Sequence, residues 1–342
     1  MASSTNTAGA TAAASTAGAD HASRTISLDF GGMLRTVKRH YKEGSLNWPM
    51  IIYIGLAHVA ALVGLFHIHK CQWQTLLWAF LLWPISGFGI TGGVHRLWAH
   101  RSYKATFPLR VFLMLINSIA NQGSIWHWAR DHRVHHKHSE THADPHNAMR
   151  GFFFAHMGWL FVKKHKDVIE AGKKLDYTDL AEDWTVIFQK ALDPWFALFM
   201  CYGFPSFVAM LWGENFWNAY WVAGALRYVC VLHFTWCVNS VAHFFGDHPY
   251  DHNSWPAENP FVSIGAIGEG WHNWHHKYPF DYAASEFGIT KQFNPTKLCI
   301  DIFCMVGIAS DRKRATGAWH RLRASHEEAI YGASGADAKK SS

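Results

Sequence analysis

The sequence predicts an all-α membrane protein, with four transmembrane helices in two hairpins and a helical cap at one end. Three observations carry that reading. Of the 342 residues, 49% are hydrophobic and only 16% are charged, where a soluble domain runs near a quarter charged. Four stretches of about 20 residues or more are free, or nearly free, of Asp, Glu, Lys and Arg, and ~20 apolar residues are what a helix needs to cross the hydrocarbon core. Finally, 29 of the 31 Lys and Arg residues lie outside those stretches and the turns joining them. Mean hydropathy is near zero, so the apolar residues are concentrated in spans and offset by polar segments elsewhere.

The elements follow in order. Residues 1–23 are mostly Ala, Ser, Thr and Gly. Such a stretch cannot bury enough surface to offset its ordering entropy, and a disordered tail is expected. The first basic residue is Arg24, which argues against an Arg-rich transit peptide. A cytosolic N-terminal segment, 24–47, leads into the first hairpin, 48–93. That hairpin is built from Trp48–Ile68 and Cys71–Val94, turning near His69. The second hairpin, 192–238, comes from Pro194–Gly213 and Asn215–Gly246, turning near Glu214 and broken once by Arg227. Two further apolar runs, Val111–Trp126 and Phe152–Val162, are short and are expected to be interfacial or amphipathic rather than spanning. If Val111–Trp126 crossed, the histidine groups on its two sides would face opposite compartments. Residues 94–191 and 239–314 form the two parts of the cap, and 315–342 are a polar C-terminal tail.

Charge sets the orientation. Residues 1–47 hold five Lys or Arg, 94–191 fourteen, and 239–342 ten. Basic residues stay on the cytosolic side, so both termini and the cap are expected in the cytosol. The net charge of +6 suits an anionic membrane face and is modest for a nucleic-acid binder, so no nucleic-acid partner is expected. The six cysteines show no CxxC pair, which excludes a disulfide-dense scaffold and a thiolate metal site; they are expected to be free and buried. There is no HExxH, which disfavours a zinc protease. The glycine-rich GFGITGG at 87–93 falls within the second span, where small residues let helices pack closely.

The chemistry lies in the 25 histidines. His132, His135 and His136 have the spacing i, i+3, i+4, as do His272, His275 and His276. On a helix those positions share one face. Within each adjacent pair the rings diverge by ~100°, so His135 and His136, like His275 and His276, are expected to serve two different metals. Asn239 and His243 are i, i+4. His95 and His100 are five apart, about 140° on an α-helix, so one of them is expected just beyond a helix end. All these groups fall at cytosolic span edges or in cytosolic loops. Nine histidines exceed what one metal takes, and two metals with four or five ligands each fit. A lone histidine is usually a surface or capping residue, and the other sixteen, including His58, His67, His69, His138, His156, His233, His320 and His326, are read so. A nitrogen-rich, thiolate-free site with more than four ligands suits iron better than structural zinc.

These boxes and their neighbours, ITGGVHRLWAHRSYKA, WARDHRVHHKHSETHADPHN, RGFFFAHMGWL, VNSVAHFFGDHPYD and GEGWHNWHHKYPFDY, resemble the membrane-bound acyl-CoA desaturases of the stearoyl-CoA (delta-9) type, from about Trp48 to Arg314. The resemblance implies a four-span protein with a cytosolic di-iron cap. It implies that His95, His100, His132, His135, His136, His243, His272, His275 and His276 hold two iron ions, with Asn239 acting through water. It implies an acyl tunnel lined or bent by Gln122, Trp128, Thr235 and Trp236, a CoA headgroup near Arg130, Asp131, Lys163 and Lys164, and a tunnel floor at Trp83 and Gly87. Ordinary core packing is the alternative for the aromatics, and attraction of anionic lipid for the two lysines. Met50 and Gly123 stand where the animal enzymes carry asparagines near CoA, which leaves open another acyl carrier or headgroup pose.

The implied reaction removes two hydrogens from adjacent methylenes of a long-chain acyl-CoA, using O2 and two electrons. An unactivated C–H bond offers no acidic proton, so the step needs a redox cofactor. No HPGG haem signature occurs, and no bound haem or flavin is expected. Electrons are then expected from a separate protein, cytochrome b5 with its reductase, at the endoplasmic reticulum membrane. A di-iron hydroxylase on the same framework is the second reading. A histidine-rich membrane metal transporter or sensor is the third, and it would place histidines along a path within the spans.

Overall fold

The computed structural model describes residues 30–324; the tail expected at 1–23 and the last part of the polar tail lie outside them. In chain order the helices are α1 (Phe30–Lys42), α2 (Trp48–Leu65), α3 (Trp73–Ala99), α4 (Phe107–Ala120), α5 (Ile125–His138) and α6 (Phe152–His156). They continue with α7 (Lys166–Lys173), α8 (Thr178–Ala181), α9 (Trp184–Leu192), α10 (Trp195–Met210) and α11 (Phe216–Phe244), then α12 (Pro260–Gly265), α13 (His272–Lys277) and α14 (Pro295–Met305). Two short strands, Lys104–Ala105 and Ala309–Ser310, pair antiparallel and join the start of α4 to the segment after α14.

Among the described residues, three helices are long and apolar enough to cross a membrane: α2, α3 and α11. They expose apolar side chains, as lipid-facing helices do. Trp48, Ile52, Leu56, Val59, Leu62 and Leu65 are all exposed along one side of α2. The third expected span is shorter. Helix α10 runs only from Trp195 to Met210, about 24 Å at 1.5 Å per residue, against a core of ~30 Å. The apolar stretch at 194–213 includes its own turn, which the absence of charge did not reveal.

The two hairpin turns lie side by side. Glu214, between α10 and α11, accepts from the Gln72 backbone N–H at 2.7 Å and the Thr75 hydroxyl at 2.8 Å, and Asn218 donates to the Lys70 carbonyl at 3.3 Å. Helix α4 is too short to span and is amphipathic, as expected of Val111–Trp126: Leu113 and Ala120 are fully buried and Leu109, Met114, Ile116 and Ile119 nearly so, while Phe107 and Phe112 are exposed. Its partner is the glycine run of α3. A Cβ on Gly89 would sit 2.3 Å from the Asn117 backbone nitrogen, so only glycine allows this approach. The core therefore lies between α3, α4, α5 and α14, around Leu82, Val94, Leu113, Ile125 and Ile300.

Helices α3, α10 and α11 are not uniform. Gly89–Ala99, Phe199–Gly203 and Tyr220–Leu226 are wound as π-helix. Arg227, the charge inside the last span, is buried and donates to the carbonyls of Ala223 at 3.1 Å, Ile119 at 3.0 Å and Cys201 at 2.7 Å. Two of those carbonyls belong to the π-wound turns. The cation thus ties α4, α10 and α11 together, which is how a charge within a span is accommodated.

Candidate metal centre and its cavity

The π-wound end of α3 sets the first pair of histidines. An i→i+5 hydrogen bond brings residues five apart onto one face, and His100 N–H donates to the His95 carbonyl at 3.0 Å. The rings of His95 and His100 then lie 4.8 Å apart. The 140° separation expected from α-helical geometry is removed by the winding, with His100 capping the helix. Helix α5 brings the next three. It is pinned to the end of α3 by Arg133, which donates to the Trp98 carbonyl at 2.7 Å and the Ala99 carbonyl at 3.0 Å. Helix α13 is only six residues long, too short to stand alone. Asn273 bolts it down, accepting from the N–H groups of Tyr250 and Asp251 and donating to Ser254 and to the Asp251 and Pro256 carbonyls. Glu258 accepts from the Trp274 N–H at 2.9 Å, and burial raises its pKa to about 8.

All nine histidines converge in two groups. His95, His100, His132, His136 and His275 form one; His135, His243, His272 and His276 form the other. Within each group the donor atoms lie within 4.8 Å of one another. His95 Nε2 is 3.0 Å from His275 Nε2, His100 Nε2 is 2.8 Å from His132 Nε2, and His275 Nε2 is 2.9 Å from His136 Nε2. In the second group His243 and His272 are 3.1 Å apart at Nε2, as are His272 and His276, and His135 lies 3.3 Å from His276. Both adjacent pairs divide between the groups.

Three carboxylates orient these rings. Glu269 lies 3.1 Å from His95 Nδ1, Asp144 2.9 Å from His135 Nδ1, and Glu140 2.7 Å from His243 Nδ1. Asp144 and Glu140 accept from these rings, so Nδ1 of His135 and His243 carries the proton and Nε2 presents a lone pair inward, while Glu269 stands beside His95 Nδ1 as a charge. Arg96, fully buried, fixes Glu269 with a contact of 2.8 Å. Burial holds His132, His136, His272, His275 and His276 well below the usual histidine pKa. Burial lowers His135 too, but the charge and hydrogen bond of Asp144 outweigh it and leave its pKa raised. Lone pairs facing lone pairs at such distances repel unless a cation lies between them. A metal–nitrogen bond of about 2.1 Å places donors at right angles about 3.0 Å apart, so the spacing and the donor set fit two nitrogen-ligated metals. His146 flanks the second group, its ring 4.2 Å from that of His135.

Below the clusters runs a cavity of about 610 Å³. Its wall includes His95, His132, His135 and His272 together with Trp83 and Gly87. Gln122, Trp128, Asp131, Lys163, Lys164, Thr235, Trp236 and Asn239 line it, as do Met50 and Gly123. Asn239 thus shares a cavity with the clusters. Arg130 is not among the lining residues; its guanidinium pairs with Asp131 at 2.9 Å. Asp131 also pairs with Lys164, and Lys163 donates to the Gly44 carbonyl at 2.8 Å. Gln122 donates to Thr235 at 2.8 Å. The Trp83 indole donates to the Gly265 carbonyl at 2.9 Å. A Cβ on Gly87 would approach Ile267 to 3.3 Å. Arg96, Glu140, Asp144, His146 and Glu269 were not singled out by the sequence reading. Asp144 and His146 stand in the ADPHN text beside the second box, which is the one signal that marked them.

The fold and this centre define a helical membrane protein carrying a two-cluster histidine metal site above an apolar cavity. Residues 71–285 match the model of the fatty acid desaturase family. The chain is 55% identical over 270 residues to stearoyl-CoA desaturase 5 of Bos taurus, covering 79% of this chain and 80% of that one. It is 50% identical over 287 residues to stearoyl-CoA desaturase 5 of Homo sapiens, covering 84% and 86%. It is 47% identical over 270 residues to the delta(9)-fatty-acid desaturase fat-6 of Caenorhabditis elegans, covering 78% and 79%. The chain belongs to the fatty acid desaturase family.

Proposed function

We propose that this enzyme desaturates a saturated long-chain acyl-CoA, introducing a cis double bond at the delta-9 position in unsaturated fatty acid biosynthesis. The observation that carries the reading is the convergence of nine imidazoles, five buried and four half-buried, in two groups beside an apolar cavity that His95, His132, His135 and His272 line. Two iron ions held by these histidines supply the redox chemistry that breaking an unactivated C–H bond demands. Asn239, which lines the same cavity, would hold one of them through water.

The chain's own residues do the rest. Glu140 and Asp144 hold the imidazoles of His243 and His135 in the ligating tautomer, and Glu269 stands beside His95 as a charge. The cavity walls exclude water from the reacting carbons. Gln122, Trp128, Thr235 and Trp236 bend the acyl chain so that one pair of methylenes faces the clusters, and Trp83 and Gly87 close the far end. Lys163, Lys164 and Arg130, with Asp131, surround the mouth where the CoA phosphates sit, since cationic groups make charge-assisted bonds to phosphate.

The parallel hairpin turns support a four-span stem in which α10 is a short span. The basic skew supports a cytosolic cap with both termini on that side, in the endoplasmic reticulum membrane. Electrons come from a separate donor, cytochrome b5 with its reductase. Lipid analysis after expression in a desaturase-deficient host tests the reading. Restored monounsaturated chains with the double bond mapped to delta-9 are expected. No new double bond, despite folded and metal-loaded protein, would overturn it.

A further inference from the structure

Three histidines outside the two clusters form a continuous chain. His58 lies midway along α2, His233 within α11, and His156 at the end of α6. His58 Nδ1 is 2.7 Å from the Ile54 carbonyl, and His58 Nε2 is 3.1 Å from His233 Nε2. His233 Nδ1 is 2.9 Å from His156 Nε2, and His156 Nδ1 is 2.8 Å from the Ser240 hydroxyl. Ionisable side chains within spans are costly, and they mark function by default.

Counting protons fixes the direction of this chain. The Ile54 carbonyl only accepts, so His58 donates from Nδ1. A neutral His58 then accepts at Nε2, which makes His233 the donor there and an acceptor at Nδ1. By the same step His156 donates from Nε2 and accepts at Nδ1 from the Ser240 hydroxyl, whose one proton must then turn away from the Trp236 carbonyl 3.0 Å from it. Burial, followed by the neighbouring His233, lowers the His156 pKa to about 4, so its ring is neutral at pH 7. The Trp236 carbonyl does not depend on that hydroxyl, because it already accepts from the Ser240 N–H at 3.1 Å. Each of the three rings is therefore bound at both nitrogens, and none can turn without breaking two bonds.

What the three rings enclose is Trp236. His58 stacks on it, 6.4 Å between centroids and 13° between planes. His156 and His233 meet it edge-on at 5.7 and 5.1 Å. Trp236 is 3% exposed and lines the cavity; the three imidazoles stand behind it and are not among the lining residues.

We propose that the His58–His233–His156 chain is a positioning device for the Trp236 indole, and that through Trp236 it sets which carbons of the acyl chain face the clusters. The proposal rests on the reading of the cavity as the acyl-chain site. His233→Leu removes both of its bonds, whereas His233→Gln keeps one donor and one acceptor. Products of each variant are mapped for double-bond position, with metal content measured in parallel. In His233→Leu the share of misplaced double bonds should rise several-fold, since a misplacement of ~1 Å at a reacting centre can cost about 100-fold in rate at the proper position. Metal content should not change, and His233→Gln should restore the wild-type distribution. Trp236→Phe should shift the distribution in the same sense, and adding His233→Leu to it should change nothing further. His58→Leu breaks the chain from its other end and carries the same expectation, which covers a failure of His233→Leu to fold. A wild-type distribution in the folded His233→Leu or His58→Leu protein overturns the positioning role. If Trp236→Phe also leaves the products unchanged, the cavity reading is what has failed.

Discussion

His135 and His136 are neighbours in the chain, yet their Nε2 atoms belong to different clusters. His136 Nε2 lies 2.9 Å from His275, and His135 Nε2 lies 3.3 Å from His276. One turn of α5 thus serves both halves of the centre. A single substitution should therefore empty one half and leave the other. His136→Ala should lower bound metal from two ions toward one per chain and abolish turnover. His272→Ala, from the second cluster, should do the same. Elemental analysis of the purified variants reads the stoichiometry, and full activity in either variant would break the nine-ligand assignment.

The carboxylates behind the imidazoles should matter almost as much as the ligands. Asp144→Asn and Glu140→Gln remove the charge that holds His135 and His243 in the inward-facing tautomer. Partners of this kind are worth about 10–100-fold in metal affinity or activity. Metal titration of the two variants should show a loss in that range, with the wild-type fold retained by circular dichroism.

These carboxylates also show where the sequence stops being readable. The i, i+3, i+4 spacing of His132, His135 and His136 is a local property, and so is that of His272, His275 and His276. Helical geometry alone divides them between two clusters. Glu140 meets His243 across 103 residues, and Glu269 meets His95 from a still more distant part of the chain; no local pattern announces either. His95 and His100 illustrate a different limit. Their spacing fails on an α-helix and works on a π-helix, and nothing in the residues announces the winding. Helix α4 was legible only in part. The glycine run at 87–93 was read as a packing face, and a packing face requires a partner, which is α4. Its short length marks it as interfacial or amphipathic rather than spanning, without naming what its apolar face covers.

The chain-length floor is open to a direct substitution. Trp83 fills the cavity between its bond to Gly265 and the ring of Phe234, 5.2 Å away. Trp83→Ala should lengthen the cavity and shift preference toward longer acyl chains. Competition among acyl-CoAs of graded length measures this, and an unchanged ranking would remove Trp83 from the floor.

Acid should unload and destabilise the centre. His132, His136, His272, His275 and His276 have pKa values depressed by burial. The unfolded chain takes up their protons near pH 6.5 and the folded one only at much lower pH, so stability falls as pH drops below about 6.5. His100 and His146, also depressed by burial, add to this, and His135, raised by Asp144, and Glu258, raised by burial, work in the opposite sense as two groups against seven. Thermal unfolding of the metal-free protein should be flat only above about pH 8, where Glu258 has ionised in the folded chain too, and shift downward below about 6.5. Metal retention should fall in the same direction, because ligation requires neutral imidazole. A melting temperature that rises on acidification would contradict the assignment of these rings as neutral and buried.

The most direct test of the central claim is the mass of the product formed from stearoyl-CoA by the purified, iron-loaded protein supplied with O2 and cytochrome b5 with its reductase. An acyl chain lighter by two hydrogens, with the double bond at delta-9, is the predicted result. A chain heavier by one oxygen would make the enzyme a hydroxylase, and an unaltered chain accompanied by metal movement across the membrane would make it a transporter. Either result would contradict desaturation as its activity.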